Sequence, residues 1–315
     1  MQYFIANTDK DWYDFLVEEN VNELNFWQPS GHTSFRAISY GLPFLFKLKA
    51  PINKIAGVGF FICHSFLPIS IAWDFFGKSN GTNSFSEFEK LIFRYRAKDK
   101  YNLDPLIGCI TLTDPVFFKK SNWLPLPSDW KKNIVVGKTY NTEKKIGKDY
   151  WDIVQALILE HQISNNNLKD SLNKNIISEP TSPGYRKILN NVRIGQAAFR
   201  LLVTDAYQRK CSVSGSKILP TLEAAHIKPY ASSGPNHTNN GLLLRSDFHK
   251  LFDKGYITIT KQLKIEVSRT IKEEFHSGKE YYKYHGNSLE IMPKNVMEHP
   301  SEDHINWHNE NIYKG

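Results

Sequence analysis

The chain has 315 residues, room for two domains of ordinary size, and with 41% hydrophobic and 13% aromatic residues it can bury real cores. A formal net charge of +8 and a pI near 9.1 favour a polyanionic partner, nucleic acid being the simplest. Three cysteines, at 63, 109 and 211, exclude a disulfide-built scaffold and fit a reducing cytoplasm, and the opening MQYFIANTDKDW lacks the basic and apolar regions of a signal peptide.

Along the first half, short apolar runs at 3–6, 44–48, 56–63, 69–73 and 107–112 read as strands. A helix is predicted near Asp9, with Trp12, Phe15 and Leu16 on one face, and another near Ser84, with Phe85, Phe88, Leu91 and Ile92. Residues 55–73 hold no Asp, Glu, Lys or Arg over nineteen positions. Gly57, Gly59, His64, Ser65, Pro68 and Ser70 interrupt that run, so it is read as two buried strands and not as a membrane span. The mixture predicts an α+β chain whose first domain, 1–140, is a small β-barrel with peripheral helices. Residues 131–148 are basic and polar. An amphipathic helix over 148–162 and the polar stretch NNNLKDSLNKNIISEPTSPG suggest a helical linker, 141–185. A helix over 190–207, with Ile194, Ala197, Ala198, Leu201 and Leu202 at helical spacing, opens the second domain, 186–315.

The most informative segment is CSVSGSKILPTLEAAHIKPYASSGPNHTNNGLLLRSDFHKLFDKGYITI, from residue 211 to 259. Residues 221–227 read as a strand with His226 near its end, 229–239 as a loop rich in Gly, Pro and Asn, and 242–244 as a second strand. Ser246 then reads as the N-cap of a short helix ending at Gly255. Four residues apart on that helix, His249 and Asp253 share a face and could share a cation. Phosphodiester hydrolysis needs a base for the attacking water and a cation for the phosphate. His226 suits the base, because a neutral imidazole accepts a proton near pH 7. Asn240, with Asn239 as its alternative, would hold the loop and aim the imidazole. The His249 and Asp253 donors suit Mg or Mn first, with Co, Ni or Zn also open. Taken alone, His226 also reads as a satisfied strand histidine and His249 as a solvated helix residue. His237, His276, His285, His304 and His308 are read as surface or structural.

These residues, in LEAAHIKPY followed by NGLLLRSDFHKLFDKGY, resemble the HNH nuclease motif and its ββα-metal fold, in the form appended to bacterial modification-dependent restriction enzymes. Many HNH proteins carry an acidic residue or His just before the base as a metal ligand; this chain has Ala225 there, which leaves the full ligand set open. Paired CxxC knuckles are also missing, since Cys211 is followed by Ser214, so no structural zinc is expected.

The first 140 residues resemble the EVE branch of the PUA-like modified-base readers, on YFIANTDKDW, NFWQPSG with FRAISYGLPFLFKL, IAGVGFF and SIAWDFFGKSNG. Together the two halves are similar to the EVE-HNH modification-dependent (Type IV) restriction endonucleases. Such a reader flips its base out of the duplex, which costs a few kcal/mol, and regains about 1–3 kcal/mol by stacking it on an aromatic face. The resemblance places Trp27 as cage aromatic. Phe26, Phe35 and Trp73 are further stacking candidates, and Asn7, Thr8, Asp9, Gln28 and Ser34 are candidate polar contacts. Aromatics in a β-barrel also serve as core, and Asn7 and Asp9 also serve as turn and cap residues. Arg36, Lys47, Lys49, Arg94, Arg96, Lys119 and Lys120 could follow phosphates, and Lys228 and Arg245 beside the nuclease motif are the stronger candidates for the DNA backbone.

The expected function is a cytoplasmic, bacterial-type, metal-dependent DNA endonuclease that recognises a 5-methyl- or 5-hydroxymethylcytosine type of base in double-stranded DNA, cuts nearby and restricts modified phage DNA. One active site per chain implies a homodimer or two sequential nicks. The alternatives are a non-cutting reader of modified DNA or RNA, and an HNH nicking or homing nuclease indifferent to modification.

Overall fold

A computed structural model describes residues 1–96, 102–170 and 194–315, without the side chains of 164–170. It divides into two compact units, Met1–Arg193 and Ile194–Gly315.

In the first unit, β1 (Gln2–Thr8) leads to α1 (Lys10–Glu19), β2 (Glu23–Gln28), β3 (Pro43–Leu48), β4 (Lys54–Pro68), α2 (Ile69–Phe76), α3 (Phe85–Tyr95), β5 (Leu106–Phe117), β6 (Leu124–Pro125), β7 (Gly137–Asn141) and α4 (Lys145–Asp170). The sheet order is β2-β5-β4-β3-β1-β7, with β6 on β4, a mixed sheet with helices at its periphery, as the α+β reading of the first domain expects. β1 runs parallel to β3 and antiparallel to β7. Strand side chains alternate, and β1 is buried on both faces. Phe4 and Ala6 join Trp12, Leu16, Phe44 and Phe46 in one core, while Tyr3 and Ile5 join Trp151, Val154 and Ile158 of α4 in another. The start of the expected linker is therefore a helix packed on this sheet, and 171–185 lies outside the described residues.

The two strands expected over 55–73 are instead one long strand, β4, followed by helix α2. Pro68 ends the strand, and the Asp104 carboxylate accepts from the Ser70 backbone N–H (3.0 Å) and hydroxyl (2.7 Å), placing an acid at the helix start. That cap and the burial of Ile69, Ala72 and Phe76 on one face outweigh the β-branched character of the segment. The α3 helix begins as its sequence predicts, with Ser84 Oγ accepting from Glu87 N and the Glu87 carboxylate from Asn83 N. No helix among the described residues is long and apolar enough to cross a membrane.

The second unit contains α5 (Gln196–Ala206), β8 (Leu222–His226), β9 (Gly241–Arg245), α6 (Ser246–Asp253), β10 (Ile257–Ile259), β11 (Ile265–Val267), α7 (Thr270–Phe275), α8 (Lys279–Tyr282) and α9 (Glu302–Asn311). Strands β8 and β9 pair antiparallel from Leu222↔Arg245 to His226↔Gly241. Phe199 and Val203 of α5, Ala225 and Leu242 to Leu244 of the hairpin, and Phe248 and Phe252 of α6 form one core. The N-cap of α6 is Arg245, where Ser246 was expected. The Ser246 hydroxyl donates to Thr221 O at 3.2 Å, tying the helix start to the turn that leads into β8. Gly255, with φ +75°, ends this segment where a Cβ would come within 1.9 Å of Ile312 O.

Candidate functional site

His226 stands half-buried at the end of β8, its ring stacked on Phe199 at 3.9 Å and 13°. Its Nε2 lies 2.8 Å from Asn236 Oδ1. The Asn236 amide nitrogen donates to Ile194 O at 2.8 Å, so the oxygen faces the ring and the neutral imidazole carries its proton on Nε2. Nδ1 is left with a lone pair. Burial pushes the His226 pKa below the ordinary imidazole value against the opposing pull of the Asn236 bond and the Asp253 charge, so the free base prevails at neutral pH.

Asn240 is fully buried and works on the loop. Its Oδ1 accepts from Lys228 N (2.8 Å), and its Nδ2 donates to Lys228 O and Pro235 O, each at 2.9 Å. The residue expected to aim the imidazole thus clamps both ends of the turn, and the aiming falls to Asn236 and Phe199. The turn is tight enough that a Cβ at Gly234 would come within 1.9 Å of Lys228 O. Asn239 contributes through its backbone, its carbonyl accepting from Ser301 N.

On α6, His249 Nε2 is 3.3 Å from Asp253 Oδ2, as the four-residue spacing predicts. The other ring nitrogen, Nδ1, lies 2.5 Å from Glu223 Oε2. A histidine that binds a metal through one nitrogen typically donates its other N–H to a carboxylate, and this is the arrangement of Glu223, His249 and Asp253. Among the described residues no three His, Cys, Asp or Glu side chains converge as a closed cation cage. Two inner donors of N/O type nevertheless fit a cation that keeps waters and takes substrate phosphate oxygens as further ligands. Burial and the Glu223 charge raise the Asp253 pKa, a repulsion that a cation would relieve. Ala225 is buried in the core; Glu223, two residues earlier on the same strand, supplies a carboxylate from the same face. The Cys211 thiol takes backbone N–H donors from Ser214 and Arg245, the role of a core residue.

Of the two expected backbone contacts, Lys228 has its ammonium over the Trp307 ring at 5.6 Å. Arg245 is committed elsewhere: Asp247 grips its guanidinium with two bonds of 2.6 Å, which holds the carboxyl pKa low and cancels the charge. His308, read as structural or surface, is structural: buried, stacked on Phe252 at 3.9 Å, and bonded to Thr258 Oγ1 and Phe252 O.

The first unit holds a cavity of about 410 Å³ lined by Asn7, Asp9, Phe26, Trp27 and Gln28 among the expected residues. Trp27 is held by its indole N–H on Asn80 O (3.0 Å) and by Phe88 and Tyr95. Four expected residues lie elsewhere. Thr8 is buried and bonds Ala6 O; Phe35 packs among Phe4, Phe44 and Phe61; Trp73 sits on α2 against Phe85 and Phe88; exposed Ser34 does not line the cavity, though Thr33 does. Asp9 occupies the N-cap position of α1 without capping it. Its carboxylate instead bonds Lys49 Nζ (2.6 Å) and the Tyr95 hydroxyl (3.4 Å), both cavity residues. Lys47, proposed as a phosphate contact, is buried.

Sequence reasoning missed Glu223, Phe199 and Asn236 around the nuclease motif, and Trp12, Lys49, Tyr95, Val135 and Val136 at the cavity. Glu223 had a signal, an acid on the His226 strand at the parity of position 225. The others are joined only by the tertiary fold.

Residues 211–260 match the family described as HNH endonuclease. No curated protein matches the chain significantly. Among solved structures, the ASCH protein of Zymomonas mobilis is similar over 45% of this chain and 89% of its own, at 7% identity and a TM-score of 0.32. A mutant of it is similar over 47% and 95%, at 8% and 0.33. The modification-dependent restriction endonuclease TagI is similar over 92% of this chain and 75% of its own, at 14% identity and a TM-score of 0.28. Likenesses of that size support no assignment alone. The family match and the residues it encloses do: residues 211–260 are an HNH endonuclease domain, and the protein is a DNA endonuclease of the hydrolase class.

Proposed function

We propose that the protein is a modification-dependent DNA endonuclease that flips a 5-substituted cytosine into the cavity of its first unit and hydrolyses nearby phosphodiester bonds of double-stranded DNA with its HNH site. The observation that carries the cutting half is the His226 imidazole, neutral, clamped by Asn236 and Phe199, with Nδ1 left as its basic nitrogen. Nδ1 takes a proton from water as the water oxygen attacks phosphorus and the bond to the leaving oxygen breaks. Asn240 keeps the loop that carries Lys228 in place. His249 and Asp253 would hold a divalent ion, Mg or Mn first, with Glu223 orienting the imidazole of His249; bound there, the ion supplies positive charge to the phosphate oxygens.

The reading half is supported by an apolar cavity with a fixed Trp27 face and polar groups at its wall. Enzyme of this kind, active in the bacterial cytoplasm, would restrict phage DNA carrying such bases. A duplex break needs two scissions, from a homodimer or from successive nicks.

The deciding assay is cleavage of one DNA sequence prepared with cytosine, 5-methylcytosine, 5-hydroxymethylcytosine or its glucosylated form, in Mg or Mn, beside His226→Ala. Cutting confined to modified DNA and lost in the variant is expected. Equal cutting of all substrates would leave a nuclease and remove the reader; binding without cutting would favour a non-cleaving reader.

A further inference from the structure

The cavity in the first unit does not end at Trp27. A second cavity of about 620 Å³ adjoins it, and Asp9, Trp12, Trp27, Lys49 and Tyr95 line both. The shared wall is a bonded group, with the Asp9 carboxylate accepting from Lys49 and Tyr95 and the Lys49 ammonium 6.0 Å from the centre of the Tyr95 ring. Beyond it, the second chamber has a different chemistry. Thr82, Glu87, Lys90 and Arg94 bring donors and acceptors of both charge signs, and Leu91 and Ile52 give it an apolar side.

A flipped base is held in a snug pocket, and cavities of roughly 300–1,000 Å³ are of the size that encloses drug-sized ligands. The first chamber alone reaches that range, so a methyl or hydroxymethyl group leaves the second chamber unused. Charges of both signs favour neither an anionic nor a cationic substituent. They favour a neutral one with many hydroxyls, since each hydroxyl can both donate and accept, while the apolar side suits the carbon face of a ring.

We infer that the two joined chambers select a base carrying a bulky, hydroxyl-rich substituent of the glycosyl class, with the base against Trp27 and the substituent past Asp9 in the α3 chamber. This rests on the base-reading role proposed above and names the class of base that role serves. Asp9 is then the hinge of specificity, since it borders both parts of the ligand.

The test is equilibrium binding of the full-length protein, in EDTA to prevent cutting, to one duplex bearing a single cytosine, 5-methylcytosine, 5-hydroxymethylcytosine or glucosylated 5-hydroxymethylcytosine. The glucosylated duplex is expected to bind roughly tenfold or more tighter than the hydroxymethylated one. Leu91→Trp, which fills the second chamber, should erase that preference and leave hydroxymethylated DNA bound within about twofold, a range expected where the first chamber is untouched. Arg94→Ala, at an exposed site on α3, should reduce the preference in the same direction. Equal or tighter binding of 5-hydroxymethylcytosine overturns the inference while the base reader stands, as does a glucosyl preference that survives Leu91→Trp. Indifference among all four duplexes removes the reader and the inference together.

Discussion

The two sites differ in how they treat their polar groups. The side chains that hold His226, its loop and His249 have their bonds made: Asn236 is spent on the imidazole and Ile194, Asn240 on three backbone groups, Glu223 on His249. At the cavity of the first unit, Asn7 Oδ1 and Trp12 Nε1 are buried with no hydrogen-bond partner among the described residues. Catalysis gains from groups that do not reorganise during the reaction, whereas recognition gains from groups whose hydrogen bonds await the ligand. On the function proposed above, the first arrangement suits action on any phosphate presented to it, and the second suits discrimination.

The sharpest way to separate the two is to disable one and watch the other. His226→Ala should lower cleavage by about 10²–10⁴-fold, the usual worth of a general base, with binding to modified DNA unchanged. Cleavage and binding measured on the same duplex check this, and a parallel loss of binding would mean that the sites are not separable. Glu223→Gln should lower cleavage by about 10–100-fold and raise the metal concentration needed for half-maximal activity, as loss of an orienting carboxylate does. A metal titration that does not move would leave Glu223 as mere hairpin surface.

Trp27→Ala should act in the opposite sense, weakening binding to modified DNA by about tenfold while leaving unmodified DNA bound as before. Circular dichroism melts guard against misfolding, because Trp27 also packs on Phe88.

The smallest effect is on stability, and it belongs to the nuclease unit alone. Burial lowers the His308 pKa from the ordinary imidazole value of 6.5 to about 4. The unfolded chain therefore binds a proton that the folded chain refuses, so His308's contribution is complete above pH 6.5 and is lost as pH falls toward 4. A loss of about 1–2 kcal/mol between pH 7 and 5 is expected from this group, read by denaturant unfolding, and His308→Gln should flatten the slope.

The same contrast explains what could be read from the chain. His226, Asn240, His249 and Asp253 lie on one hairpin and the helix after it, so alternation and four-residue spacing were enough to place them. The cavity gathers Asn7, Trp27, Lys49, Tyr95 and Val135 from five separate segments, and no local period links them. Trp27 and Asp9 could be named through family resemblance, Tyr95 and Lys49 could not. Thr8 was misplaced because neighbours on a strand face opposite ways, so Asn7 lines the cavity while Thr8 turns to the core. Phe35 lies in the loop between β2 and β3, where only its tertiary packing on Phe4, Phe44 and Phe61 decides its place. Residues 69–73 misled because β-branched residues suit a helix that is capped and buried as well as this one.

The stacking of Phe199 on His226 has a consequence for inheritance. The imidazole proposed as the base takes its plane from α5 and, through Asn236, its tautomer from the carbonyl of Ile194, yet both lie before the segment 211–260 that matches the HNH endonuclease family. A recombination event that moved only that segment would carry the reacting residues without the clamp that makes one of them a base. For the proposed chemistry to move intact, Ile194 and the helix after it would have to move with the hairpin.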